Sequence, residues 1–229
     1  MTFSGFDRKF FKFFSDLKKN NNREWFNKNK QRYEDEVVTP IMAYIEAIQA
    51  PLRKVSPHFV ANPKKQGGSM FRIYRDVRFS KDKRPYKEHA ACQFRHALGK
   101  DAHAPGFYVH LEAGKIMAGG GIWMPPSDKL RAIREKIAKE GKQWQRIVGN
   151  KKIGETFKSL HGDGLTRPPG GFSADDPNIE DIKRKSYFLM RSFSNTEAGK
   201  EDFVKETIAT FKTAAPLMKF LCAATNAEY

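Results

Sequence analysis

Cysteine is scarce in this chain, and long apolar runs are missing. The 229 residues hold two cysteines, Cys92 and Cys222, far apart and outside any C-x-x-C or zinc-type spacing. That usage excludes a disulfide-stapled scaffold and suits a reducing compartment, so a cytoplasmic location is expected. No stretch approaches the ~20 consecutive apolar residues of a membrane helix, and no membrane partner is expected. Residues 1–17 are rich in phenylalanine, but Asp7, Arg8, Lys9, Lys12 and Asp16 interrupt them, so no secretory leader is expected. There is no long Ser/Gly/Pro linker and no internal repeat, which favours a single compact domain over 1–229.

Motifs of several enzyme classes are also missing. The six histidines (58, 89, 96, 103, 110 and 161) never form H-E-x-x-H. Pairs seven apart, His89/His96 and His103/His110, fall on opposite faces of a continuous strand, so no metal is expected. Gly119–Gly121 lacks the lysine of a phosphate-cradling loop and reads as a bulge or a close backbone approach. No G-x-S-x-G elbow is present, and no cofactor is expected.

What the chain has is positive charge. Lysine and arginine number 42 against 26 acidic residues, net +16. The excess is local: residues 64–87 alone carry nine basic and two acidic side chains. Such a field attracts anionic partners, nucleic acid among them.

Hydrophobic periodicity sets the architecture. Phe6, Phe10, Phe13, Phe14 and Leu17 share a helical face. Asn21 followed by Glu24 predicts a capping box opening a second helix. Thr39-Pro40 either caps a fresh helix through Ile41, Ile45 and Ile48 or lies in one long kinked helix. Pro51 and Pro57 close this helical layer. Strands are predicted at 70–74, 89–96, 106–112 and 115–123, with Ala113-Gly114 as a hairpin turn, and again at 186–193. Ser127 is read as the cap of a later helix, and Asp176-Pro177 as the start of a short one. The last helix begins near Glu201, and Pro216 kinks or restarts it. Helices, a strand block and helices again predict an α+β fold: a mainly antiparallel sheet of about five strands flanked by N-terminal and C-terminal helices.

The most informative stretch is 70–88. Phe71, Ile73, Tyr74, Val77, Phe79 and Tyr86 interrupt its cations and are expected to anchor the backbone to the core. Arg72, Arg75 and Arg78 recur every three residues; Lys81, Lys83 and Lys87 follow at even spacing. Ordered cations with planar forks and point charges suit phosphate or carboxylate. Tyr74 and Tyr86 offer faces on which bases stack. The candidate ligand site is therefore Arg72, Tyr74, Arg75, Arg78, Lys81, Lys83, Tyr86 and Lys87. The competing reading is internal pairing with Asp76, Asp82 and Glu88.

Residues Arg72-Ile-Tyr-Arg-Asp-Val-Arg-Phe-Ser-Lys-Asp-Lys-Arg-Pro-Tyr-Lys87 closely resemble the central signature of the domain of unknown function 2461 family. Asn21-Asn-Arg-Glu-Trp-Phe26, Gly119-Gly-Gly121 and Arg167-Pro-Pro-Gly-Gly-Phe172 match it too. The resemblance implies a single compact domain of about this size and brings no catalytic residue with it.

An enzyme is the second reading. Tyr108, His110 and Glu112 alternate onto one strand face, with Arg72 and Arg95 on the same side of the sheet. His110 would act as acid or base on a phosphorylated or carboxylated substrate, with Glu112 orienting its ring. Asp76 and Asp82 are a thinner option as Mg²⁺ ligands. Cys92 reads as an inert core thiol.

Overall fold

A computed structural model describes residues 2–97 and 104–229. Met1 and His103 lie outside the described residues. The N-terminal layer holds α1 (Arg8–Lys19), α2 (Arg23–Lys28), α3 (Lys30–Tyr33) and α4 (Thr39–Arg53). Strands β1 (Phe59–Val60), β2 (Ala90–His96), β3 (Gly106–Glu112) and β4 (Lys115–Ile122) follow. Then come α5 (Ser127–Lys139), α6 (Gly141–Val148), α7 (Lys151–Phe157) and α8 (Ile179–Ile182). The chain closes with β5 (Tyr187–Phe193), α9 (Asn195–Ala198) and α10 (Phe203–Ala224). The five strands form one antiparallel sheet in the order β1-β2-β3-β4-β5, so the fold is α+β.

The amphipathic stripes account for the layers. Asp7 caps α1 by accepting from the Phe10 N–H at 2.9 Å, and Phe10, Phe13, Phe14 and Leu17 point inward. One face of the sheet carries Cys92, Phe94, Phe107, Val109, Leu111 and Ala118, all fully buried. Helix α10 lies on this face, with Phe211 stacked on Phe107 at 4.4 Å between centroids. Burying each such ring contributes about 1.5–3 kcal/mol. Burial pushes both free thiols, Cys92 and Cys222, up to about 12, which makes them poor nucleophiles. Among the described residues, no helix is long and apolar enough to cross a membrane.

Several local expectations change. The cap of α2 is Asn22, which accepts from the Trp25 N–H at 2.9 Å; Asn21 faces elsewhere. Of the two readings of Thr39-Pro40, the continuous one holds: these residues open α4 without a side-chain cap, and a π turn, Glu34–Val38, joins α3 to α4 and gives the proline ring room it would lack above a regular α-turn. Helix α4 also continues through Pro51 to Arg53, and α10 runs through Pro216 without restarting there. Pro126 occupies the cap position of α5, with Ser127 its first helical residue. The predicted strand 70–74 is not a strand of the sheet but two isolated bridges, Met70 to Cys92 and Tyr74 to Tyr86.

Glycine fits β4 against β5. A Cβ on Gly119 would sit 1.8 Å from the Leu189 carbonyl oxygen, so the triplet marks a close backbone approach. Gly114 takes φ +76° in the two-residue turn between β3 and β4. Beyond β5, His161 exchanges main-chain hydrogen bonds with Phe188.

Candidate functional site

The basic stretch leaves the sheet as an arm. Residues 69–71 first run along β2, through Phe71 N–H to Ala91 O and Gln93 N–H to Ser69 O. The arm's legs then pair with each other, through Arg75 N–H to Pro85 O and Lys87 N–H to Ile73 O. From α1's far end, Asn21 grips the returning leg. Its amide donates to Tyr86 O and Glu88 Oε1, each at 3.0 Å, and its oxygen accepts from the Tyr86 N–H at 3.1 Å.

Only part of the aromatic framework is anchored. Ile73 and Tyr86 are buried, and Tyr86 stacks on Phe26 with centroids 4.1 Å apart. Tyr86 therefore spends its ring face on the core. Tyr74 is 52% exposed and Phe79, at the arm's tip, 95% exposed. The expected anchoring role thus fails for Phe79, whose ring lies in solvent with the Arg78 guanidinium 5.8 Å from its centroid.

The cations divide into two groups. Arg78 grips Asp76 through Nε and Nη2 at 3.0 and 2.7 Å. Arg75 meets Asp82 at 2.9 Å, and Arg84 bridges Asp82 and Glu88. These hydrogen bonds from Arg78 hold the Asp76 carboxyl down at about 2, and those from Arg84 and Arg75 hold Asp82 lower still. Three arginines are thus neutralised within the arm. Lys83 caps the Val77 carbonyl at 3.0 Å, and no described carboxylate pairs with it or with Arg72, Lys81 or Lys87.

Arg72 and Lys87 lie together. The Lys87 ammonium donates to the Arg72 carbonyl at 2.9 Å and sits 5.2 Å from the Phe71 ring centroid. Burial, then the Arg72 charge, lower its pKa. Arg72 and Tyr74 also line a cleft of about 670 Å³ between the π turn and residues 65–74, together with Lys30, Lys65 and Arg95. Lys65 pairs with Glu34 at the same cleft. Arg75, Arg78, Lys81, Lys83, Tyr86 and Lys87 do not line it.

On the sheet face opposite α10, Tyr108, His110 and Glu112 are linked as their alternation predicts. The Tyr108 hydroxyl lies 3.1 Å from His110 Nδ1, and His110 Nε2 lies 3.1 Å from Glu112 Oε2. The pairing of Ala90 with Leu111 also brings His89 beside them, its ring 4.4 Å from that of His110. Burial, chiefly, and then the His110 charge lower His89 to about 4; burial likewise lowers His110, against the pull of Glu112. Linear spacing set His89 against His96 and missed this group. The strand register was the missing signal.

A family model described as "Conserved hypothetical protein (DUF2461)" matches residues 9–220, and the chain belongs to that family. No curated protein and no solved structure matches it.

Proposed function

We propose that the chain, acting as one domain, binds an anionic ligand bearing phosphate through the arm and its cleft, with single-stranded nucleic acid the form that suits it best. One observation carries this reading: the Lys87 ammonium is held on the Arg72 main chain and feels the Arg72 charge, and neither cation forms an ion pair with a described carboxylate. Like charges so placed repel, and a bound phosphate relieves the repulsion while accepting their hydrogen bonds. Exposed Tyr74 and Phe79 add ring faces for unstacked bases. Arg75 and Arg78, neutralised by Asp82 and Asp76, serve the arm's shape instead.

The test is fluorescence anisotropy of a labelled single-stranded oligonucleotide across a salt series, with inorganic phosphate and pyrophosphate as competitors. Replacing Arg72→Gln with Lys87→Gln lowers affinity at least about tenfold and flattens the salt slope by about 1.4, two phosphate contacts' worth. Competition by pyrophosphate alone identifies a small phosphorylated ligand. Salt-independent binding, or binding untouched by that pair, overturns the reading.

The enzyme reading ranks second. The Tyr108–His110–Glu112 relay favours it, but both ring nitrogens of His110 are already engaged, so neither is open to a substrate proton.

A further inference from the structure

We propose that His89, His110 and Glu112 form a site for a divalent transition-metal ion of the Zn²⁺ class. The inference is independent of anion binding by the arm. One ligand atom from each side chain lies within 4.8 Å of the other two. His110 Nε2 and Glu112 Oε2 are 3.1 Å apart, close to the ~3.4 Å edge of a tetrahedron with bonds of about 2.0–2.2 Å. A metal ion would replace the proton between them, and His89 completes three protein ligands, leaving a fourth position for water.

The supports are rigid. His110 and Glu112 project from β3, and His89 immediately precedes β2, whose register with β3 is continuous from Ala90 to Arg95. His110 is 8% exposed, and the Glu112 side chain, 32% exposed, gives an ion a way in. An outer partner is in place as well. With metal on Nε2, the His110 ring proton moves to Nδ1, where the Tyr108 hydroxyl oxygen, 3.1 Å away, accepts it. Two imidazoles and one carboxylate select a borderline-soft ion over Mg²⁺ or Ca²⁺, which prefer all-oxygen shells.

The test is Zn²⁺ titration of the full, metal-stripped chain by calorimetry. One ion per chain is expected. His89→Asn and Glu112→Gln, the latter keeping an oxygen for His110, each lower affinity more than about 100-fold. Tyr108→Phe lowers it about 10- to 100-fold, as loss of an outer partner does. His58→Ala, at the separate His58/His96 stack, leaves it unchanged. A second measurement needs no variant: Co²⁺ added to the wild-type chain shifts the imidazole resonances of His89 and His110 and leaves those of His58 and His161 in place. Absence of stoichiometric Zn²⁺ binding, binding that survives His89→Asn and Glu112→Gln, or unmoved His89 and His110 resonances overturns the site and leaves the trio a structural hydrogen-bond network.

Discussion

Asn21 and Tyr86, 65 positions apart, are joined as two strands would be: the Asn21 amide both donates to and accepts from the Tyr86 main chain. A side chain here does the work of a β rung and fixes the arm to the end of α1. Asn21→Ala removes these bonds and the one to Glu88, which costs about 2 kcal/mol. The melting temperature falls about 4–8 °C. Asn21→Asp does not rescue it, because the new carboxylate would face Glu88. Calorimetry of the two variants checks both statements.

Lys87 separates a structural cation from a functional one. Its ammonium has one carbonyl partner and a like-charged neighbour, and lies 5.2 Å from the Phe71 ring centroid. Lys87→Met keeps an unbranched apolar side chain beside Phe71 and removes the repulsion. The melting temperature is unchanged or higher, while oligonucleotide affinity falls. A melting temperature lowered by several degrees would assign Lys87 to the fold alone.

Phe79 distinguishes nucleic acid from a small phosphate. Its ring is almost wholly in solvent, so Phe79→Ser changes stability by less than about 0.5 kcal/mol. If bases stack on it, single-strand affinity falls by about 1–3 kcal/mol while pyrophosphate binding holds. Parallel titrations of the two ligands read this out.

Gly119 has no room for a methyl group, because its added Cβ would overlap the Leu189 carbonyl and sit 2.8 Å from Met190 Sδ. Gly119→Ala parts β4 from β5 and costs about 3 kcal/mol or more. Denaturant titration measures this. A loss below about 1 kcal/mol would mean that β5 shifts freely.

Acid loosens the arm's tip. The Asp76 carboxyl is held at about 2, below its ordinary 3.8, because the ionised form accepts from the Arg78 side chain and N–H. A lowered carboxyl pKa gives stability that is full above pH ~4 and is lost as pH falls toward 2. The Arg78 amide resonance therefore titrates with a midpoint near 2. A midpoint near 3.8 would show that the pair is open in solution.

Much of this architecture was legible in the residues. Phe107, Val109 and Leu111 alternate cleanly, and Gly114 supplies the turn, so β3 and β4 follow from local pattern. The arm was not, because alternation at Phe71 and Ile73 looks the same whether a segment joins a sheet or pairs with itself. Phe79 and Tyr74 shared that ambiguity: an aromatic among cations reads as an anchor until the core is seen to lie elsewhere. The candidate site was legible in composition but not in pairing. Asp76 and Asp82 each sit two residues from an arginine they hold, so the internal ion pairs could be named but not chosen. His89 could not be joined to His110, since the connection from 97 to 105 fixes no register.

Each end of the sheet has a partial neighbour: the root of the arm runs along β2 beside the two-residue β1, and His161 exchanges bonds with Phe188 of β5. A ligand seated on the arm meets charged side chains and not a row of sheet amides, so its grip loosens with added electrolyte.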